Sequence, residues 1–215
     1  MNYVHVIVLL AGTLCNPTAL TPPPTKWRGH NLAITYKGSP MSIDALRALI
    51  PDYAKDLSLN LSTLVSDTSL SETQKWGSLL SCAYAVGVKD VIQNIEAACD
   101  LSPEAKTAAK AAAAIMGMNN IYYRALHLMH NQEYATLPAK LRMNILANPG
   151  VPKVDFELWS LAISAVNGCG LCLDSHEKVL RSHEVTNIQV QTALRIAATI
   201  HAISAVLRAE AAAKA

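Results

Sequence analysis

Four side chains in the carboxy-terminal third of the chain have the types and spacing to do chemistry together: Glu157, Cys169, Cys172 and His176. They lie in the run Glu-Leu-Trp-Ser-Leu-Ala-Ile-Ser-Ala-Val-Asn-Gly-Cys-Gly-Leu-Cys-Leu-Asp-Ser-His-Glu that begins at Glu157. On a helix, positions i, i+3 and i+7 share a face, so the two thiols and the imidazole meet. Thiols one turn apart can close a disulfide, and the orphan amides at a helix start favour a thiolate. His176, one turn past Cys172, is placed to take its proton directly or through a water and to protonate a leaving oxygen. The pattern is that of a nucleophile, a base and a resolving thiol.

Glu157 precedes Cys169 by twelve residues, about 18 Å along an unbroken helix. It joins the site only if the chain turns. Asn167-Gly168 supplies such a break, laying one helix back on the next so that Glu157 orients His176 or a bridging water.

Other chemistry fits these residues less well. Two Cys, one His and a carboxylate can also hold zinc, which would make the chain a zinc-stabilised helical interaction module, but structural zinc sites usually pair two ligand knuckles and no second Cys pair exists. Haem attachment fails, because Leu173 stands where C-x-x-C-H needs histidine. Cys82 and Cys99 sit among Ala, Leu and Ile and read as inert core thiols. Met116, Met118 and Met143 read as gap-filling core. His127 and His130 close a long helix, where positive charge complements the dipole. His201 reads as a satisfied core histidine, and His183 is expected to face the turn beside the site.

These residues require helices to position them. Hydrophobic residues make up 51% and charged ones 16% of 215 residues, which excludes a disordered chain. Eighteen Lys and Arg against sixteen Asp and Glu are too balanced for binding that rests on neutralising phosphates, so no nucleic-acid partner is expected. Aromatics are 5%, alanine is abundant and no alternating strand run appears, so the fold class is all-α. The expected helices span about 42–50, 52–65, 71–86, 88–99, 103–130, 133–146, 154–167, 170–182 and 187–212. Ser102-Pro103-Glu104 is a strong start, and Asn148-Pro149-Gly150-Val151-Pro152 a strong stop just before the four reactive residues. The Ala108 to Ala114 run permits close helix approach, within a bundle or between subunits. A weak internal echo pairs Trp76 with Trp159, setting Val86 and Lys89 opposite Cys169 and Cys172, as in a duplication with thiols in one arm.

Residues 1–40 hold five of the ten prolines and three of the nine glycines, and read as an unstructured extension to a helical domain over 41–215. Within them, Val4 to Leu14 is short of the roughly 20 residues a membrane span needs. It also lacks the positive flank and small-residue cleavage site of a secretion signal. Cys15 falls in this extension. Five cysteines make no disulfide framework, and with a redox pair they point to the cytoplasm, with no membrane partner.

The spacing Glu157, eleven residues, Cys169, two residues, Cys172, three residues, His176 resembles the alkyl hydroperoxidase D signature. The likeness extends to Met41-Ser-Ile-Asp, Ala114-Ile-Met-Gly-Met-Asn-Asn120, Leu141-Arg-Met-Asn-Ile-Leu-Ala-Asn-Pro-Gly150 and Phe156-Glu-Leu-Trp-Ser160, covering residues 41 to about 210. The resemblance implies an all-helical carboxymuconolactone-decarboxylase-like bundle and a homotrimer. It implies a thiol peroxidase for organic hydroperoxides that also passes electrons from the dihydrolipoamide of a lipoylated dehydrogenase component to a peroxiredoxin, with no other cofactor. By the same resemblance, Cys172 attacks the peroxide, Cys169 resolves, and Glu157 with His176 relays the proton. There is one departure: familiar members carry a histidine immediately before the second cysteine, where this chain has Leu171. The wider fold family includes decarboxylase-like enzymes acting on lactones without redox cysteines, a reading that the cysteine pair opposes.

Overall fold

The computed structural model describes residues 41–214, so the expected extension over 1–40 lies outside the described residues. At its start, Ser42 accepts from the Ala45 amide and caps α1 (Ile43–Ala48). A 3-10 turn at Asp52–Ala54 leads into α2 (Lys55–Ser66). A reciprocal capping box between Ser71 and Gln74 starts α3 (Glu72–Val86), followed by α4 (Lys89–Ala98). Ser102 caps α5 (Pro103–Leu128), whose first residue is the proline expected there. After α6 (Glu133–Thr136) and a 3-10 turn at Asn144–Leu146 come α7 (Lys153–Val166), α8 (Gly170–Ser182) and α9 (Asn187–Ala213). All regular elements among the described residues are helical.

The core lies between α3, α5, α7 and α9, with α2 on α9, α1 on α4, and α8 laid across α7 and α5. Alanines 105, 108, 109, 112 and 113 form the buried face of α5, so the Ala run serves the intramolecular bundle. α9 is long and apolar enough to cross a membrane, yet half of its most apolar window is buried within the bundle. Its Ile196, Ile200 and Ile203 face the core. That face turns His201 outward, so His201 is exposed and not the core histidine expected from its apolar helix.

Trp159 of α7 is fully buried and donates its indole N–H to the Gln74 carbonyl. Its ring lies on Gly77 of α3, where any Cβ would overlap the indole. Gly77→Ala gains about 1 kcal/mol of helix propensity, but it must displace a large ring held on another helix. Overpacking of that kind costs about 1–3 kcal/mol and occasionally more. The overlap with the indole is deep enough to place the cost at the upper end of that range, so the expected net loss is about 2 kcal/mol, read as a lower urea midpoint at unchanged slope. An unchanged or higher midpoint would show that the α3–α7 contact is slack.

The expected helix over 133–146 does not form. α6 stops at Thr136, because Pro138 lacks an amide and disfavours the helical conformation at Leu137, and Lys140 adopts a left-handed φ of 51°. Leu137 is exposed, so no burial offsets those costs. α5 ends at Leu128, which leaves His127 in its last turn and His130 beyond it.

The internal echo returns at a different register. α3 and α7 start at 72 and 153, α4 and α8 at 89 and 170, and the left-handed glycines between them are Gly87 and Gly168. All three pairs are 81 residues apart, which sets Val88 and Val91 opposite Cys169 and Cys172 in place of Val86 and Lys89. The tryptophans misalign the arms by two residues. Trp76 is only partly buried and bonds Glu72 at the surface, whereas Trp159 is a core residue.

Candidate active site

The turn between α7 and α8 builds the site. Gly168 has φ 65°, the Cys169 amide donates to the Ser164 carbonyl at 3.0 Å, and the Gly168 amide donates to Ala165 at 3.2 Å. These are the paired bonds of a Schellman ending. Cys169, the last residue of that motif, is also the N-cap of α8, and its Sγ accepts from the Cys172 amide at 3.3 Å. One residue thus ends one helix and begins the next, which reverses the chain within three positions.

The reversal brings Glu157 to His176. Their Oε2 and Nδ1 atoms are 2.6 Å apart, with side chains 13% and 12% exposed. Engaging Nδ1 leaves Nε2 as the free ring nitrogen, and His176 lines a cavity of about 400 Å³. Cys169 and Cys172 are joined as a disulfide with Cα atoms 5.3 Å apart. Cys169 is fully buried, while Cys172, 6% exposed, lines the cavity. All four residues named by spacing therefore come together, and the cavity separates the two sulfurs into a reachable one and a sealed one.

Most of the cavity wall is apolar. Met116 from α5 and Met143 and Leu146 from the segment before α7 face it, with Leu171 at 42% exposure beside the disulfide. Met116 is therefore a wall residue as well as core packing, whereas Met143 is wall alone and Met118, like Met143, lies outside the core expected for it. Asn119 reaches the same space from α5. It is 4% exposed, and its Oδ1 is buried without a hydrogen-bond partner among the described residues. Leaving such a group unpaired costs about 1–3 kcal/mol.

α5 also braces the turn. Asn120 donates to the Ser164 hydroxyl and accepts from the Asn167 amide, both at 2.9 Å, and Ser164 donates to the Ser160 carbonyl at 2.8 Å. Arg124 donates to the Asn167 carbonyl, satisfying a helix-end acceptor. Sequence reasoning assigned no role to Asn120 or Arg124. Their i, i+4 spacing opposite an Asn-Gly stop was the available signal.

The remaining candidates lie elsewhere. Cys82 is fully buried and its thiol is pushed up to about 12 by burial; burial also raises Cys99. His183 is the C-cap of α8, at the end remote from the cysteines. No group of three or more His, Cys, Asp and Glu is arranged to hold a metal ion among the described residues. The zinc set drawn from the sequence is instead engaged internally, sulfur with sulfur and imidazole with carboxylate.

Residues 132–215 match the carboxymuconolactone decarboxylase family. The chain is 65% identical over 172 residues to the alkyl hydroperoxide reductase AhpD of Maricaulis maris, an alignment spanning 79% of this chain and 99% of that protein. It is 59% identical over 174 residues to the protein of the same name from Hyphomonas neptunium, spanning 80% and 97%. A third, from Streptomyces avermitilis, is 56% identical over 173 residues, spanning 80% and 98%. With this helical bundle and likeness across nearly the full length of its relatives, the chain belongs to the alkyl hydroperoxidase D family.

Proposed function

We propose that the chain is a thiol-dependent oxidoreductase that reduces organic hydroperoxides at Cys172 and draws electrons from a dihydrolipoamide-type dithiol. The observation that carries this reading is the asymmetry of the pair: Cys172 opens on an apolar cavity while Cys169 is sealed one turn away. The naming of the relatives as alkyl hydroperoxide reductases supports the same reaction class.

The steps balance on these residues. His176 takes the proton of Cys172, and the thiolate attacks the distal oxygen of the hydroperoxide. The O–O bond breaks, Cys172 becomes a sulfenic acid, and the departing alkoxide takes a proton from His176 to leave as alcohol. Cys169 then condenses with the sulfenic acid, releasing water and forming the disulfide. A dithiol restores both thiols by exchange and is itself oxidised to a disulfide. Glu157 holds the imidazole through Nδ1 and fixes its orientation. Passing the electrons to a peroxiredoxin would use the same exchange chemistry. The assembly proposed is a homotrimer in the cytoplasm. The exposed Ile121 and Leu128 on α5 and the nearby Leu137 supply apolar surface that a subunit contact would cover.

The test counts thiols by alkylation and peptide mass. In the fully reduced, folded protein, one equivalent of cumene hydroperoxide is expected to protect Cys169 and Cys172 together. Cys82 should stay unmodified, because a thiol titrating near 12 is ionised to only about one part in 10⁴ at pH 8. If both Cys169 and Cys172 remain free under excess hydroperoxide, the redox reading is wrong.

A further inference from the structure

Two adjacent asparagines on α5 are used in opposite ways. Asn120 spends both ends of its amide on Ser164 and Asn167. Asn119, equally enclosed, makes no hydrogen bond among the described residues, has its Oδ1 sealed, and lies against the cavity that Cys172 and His176 line. Asparagine is a poor choice for a helix interior unless its side chain has a partner. Tyr123 and Ser175 bring hydroxyls to the same cavity, but both are more accessible to water than Asn119.

We propose that Asn119 is a substrate-contacting residue whose Nδ2 donates a hydrogen bond to the proximal oxygen of a hydroperoxide bound in this cavity. The proposal rests on the peroxidase reading given above. During attack by the Cys172 thiolate, the O–O electron pair moves onto the proximal oxygen, which becomes the alkoxide that His176 protonates. A fixed donor in an apolar pocket stabilises that developing charge more than it stabilises the neutral hydroperoxide. Substrate takes up the Nδ2 donor, which has no partner among the described residues in the free protein, while Oδ1 stays sealed behind it. Walls of Met116, Met143, Leu146 and Leu171 suit the alkyl portion, so the polar contact and the organic group are read by different residues.

The test uses the reduced full-length chain and its Asn119→Leu variant, which removes the amide at similar size. With cumene hydroperoxide in single turnover, thiol loss at Cys172 should slow about 100-fold, the usual effect of deleting one oxyanion-type donor. Alkylation of the same thiol by iodoacetamide develops no charge on oxygen and should be unchanged. The thermal midpoint should not fall, because an unpartnered polar group leaves the interior. Asn119→Ala, which adds no bulk, should give the same split between the two reactions. Equal hydroperoxide rates in wild type and both variants would overturn the role of Asn119 alone. A parallel fall in both reactions, or a lowered midpoint with it, would assign the residue to structure and overturn the proposal. A wild-type chain that loses no thiol to hydroperoxide would overturn both this inference and the reading beneath it.

Discussion

Cys172→Ser should reduce hydroperoxide turnover to the uncatalysed background, a loss of about 10⁴-fold or more of the kind seen when a covalent nucleophile is removed. Cys169→Ser should instead complete one attack and stop. The difference follows from burial: Cys172 lines the cavity and Cys169 is enclosed, so in the proposed mechanism the hydroperoxide meets Cys172 and Cys169 serves only after the alcohol has left. In Cys169→Ser the sulfenic acid persists, because no neighbouring thiol condenses with it, and dimedone should label Cys172 in good yield. Neither change should disturb the fold. Cys169 caps α8 by accepting from the Cys172 amide, a position where a serine hydroxyl is a preferred acceptor, so the helix start is retained. Intact mass after one equivalent of hydroperoxide reads both outcomes. Dimedone labelling of Cys169 in the Cys172→Ser protein would mean that the roles are exchanged.

The parts of this site that could be read from the sequence are those fixed by local chain geometry. Asn167-Gly168 predicts a helix break, and the break folds α8 back on α7, so a spacing of nineteen residues between Glu157 and His176 becomes a 2.6 Å contact. The i, i+3, i+7 pattern needs nothing beyond the helical period. What the sequence did not expose depends on distant segments meeting. The cavity wall draws Met116 and Asn119 from α5 and Met143 and Leu146 from the stretch after α6. The sequence predicts a helix over 133–146 there. Pro138 and the left-handed Lys140 open it into irregular chain, and Met143 and Leu146 then line the cavity. The brace through Asn120 and Arg124 was hidden for the same reason: each side chain is ordinary in its own helix and acquires meaning only against the end of α7. The two-arm register fails on the tryptophans because Trp76 lies at the surface and Trp159 in the core, while the backbone repeats through helix starts and left-handed glycines.

His176→Ala and Glu157→Gln should each slow hydroperoxide reduction by about 100-fold, the usual contribution of a positioned acid or base. Stability should change far less, since neither side chain belongs to the hydrophobic core. Combined, the two changes should cost little more than the first alone, because Glu157 acts through the imidazole that it holds. The sharper test is at Leu171, which lines the cavity immediately before Cys172 where familiar members of the family carry histidine. Its 42% exposure leaves room for an imidazole without repacking. Leu171→His should raise direct peroxidase turnover more than exchange with dihydrolipoamide. Peroxide cleavage must deprotonate the attacking thiol and protonate a poor leaving oxygen, whereas exchange releases a thiolate that needs less proton help. The two assays on one variant therefore separate proton transfer from thiol access, since a change in access would move both rates together. If Leu171→His leaves peroxidase turnover unchanged while the wild-type chain is already fast, the imidazole of His176 suffices, and the idea that a histidine at position 171 completes the proton relay must be withdrawn.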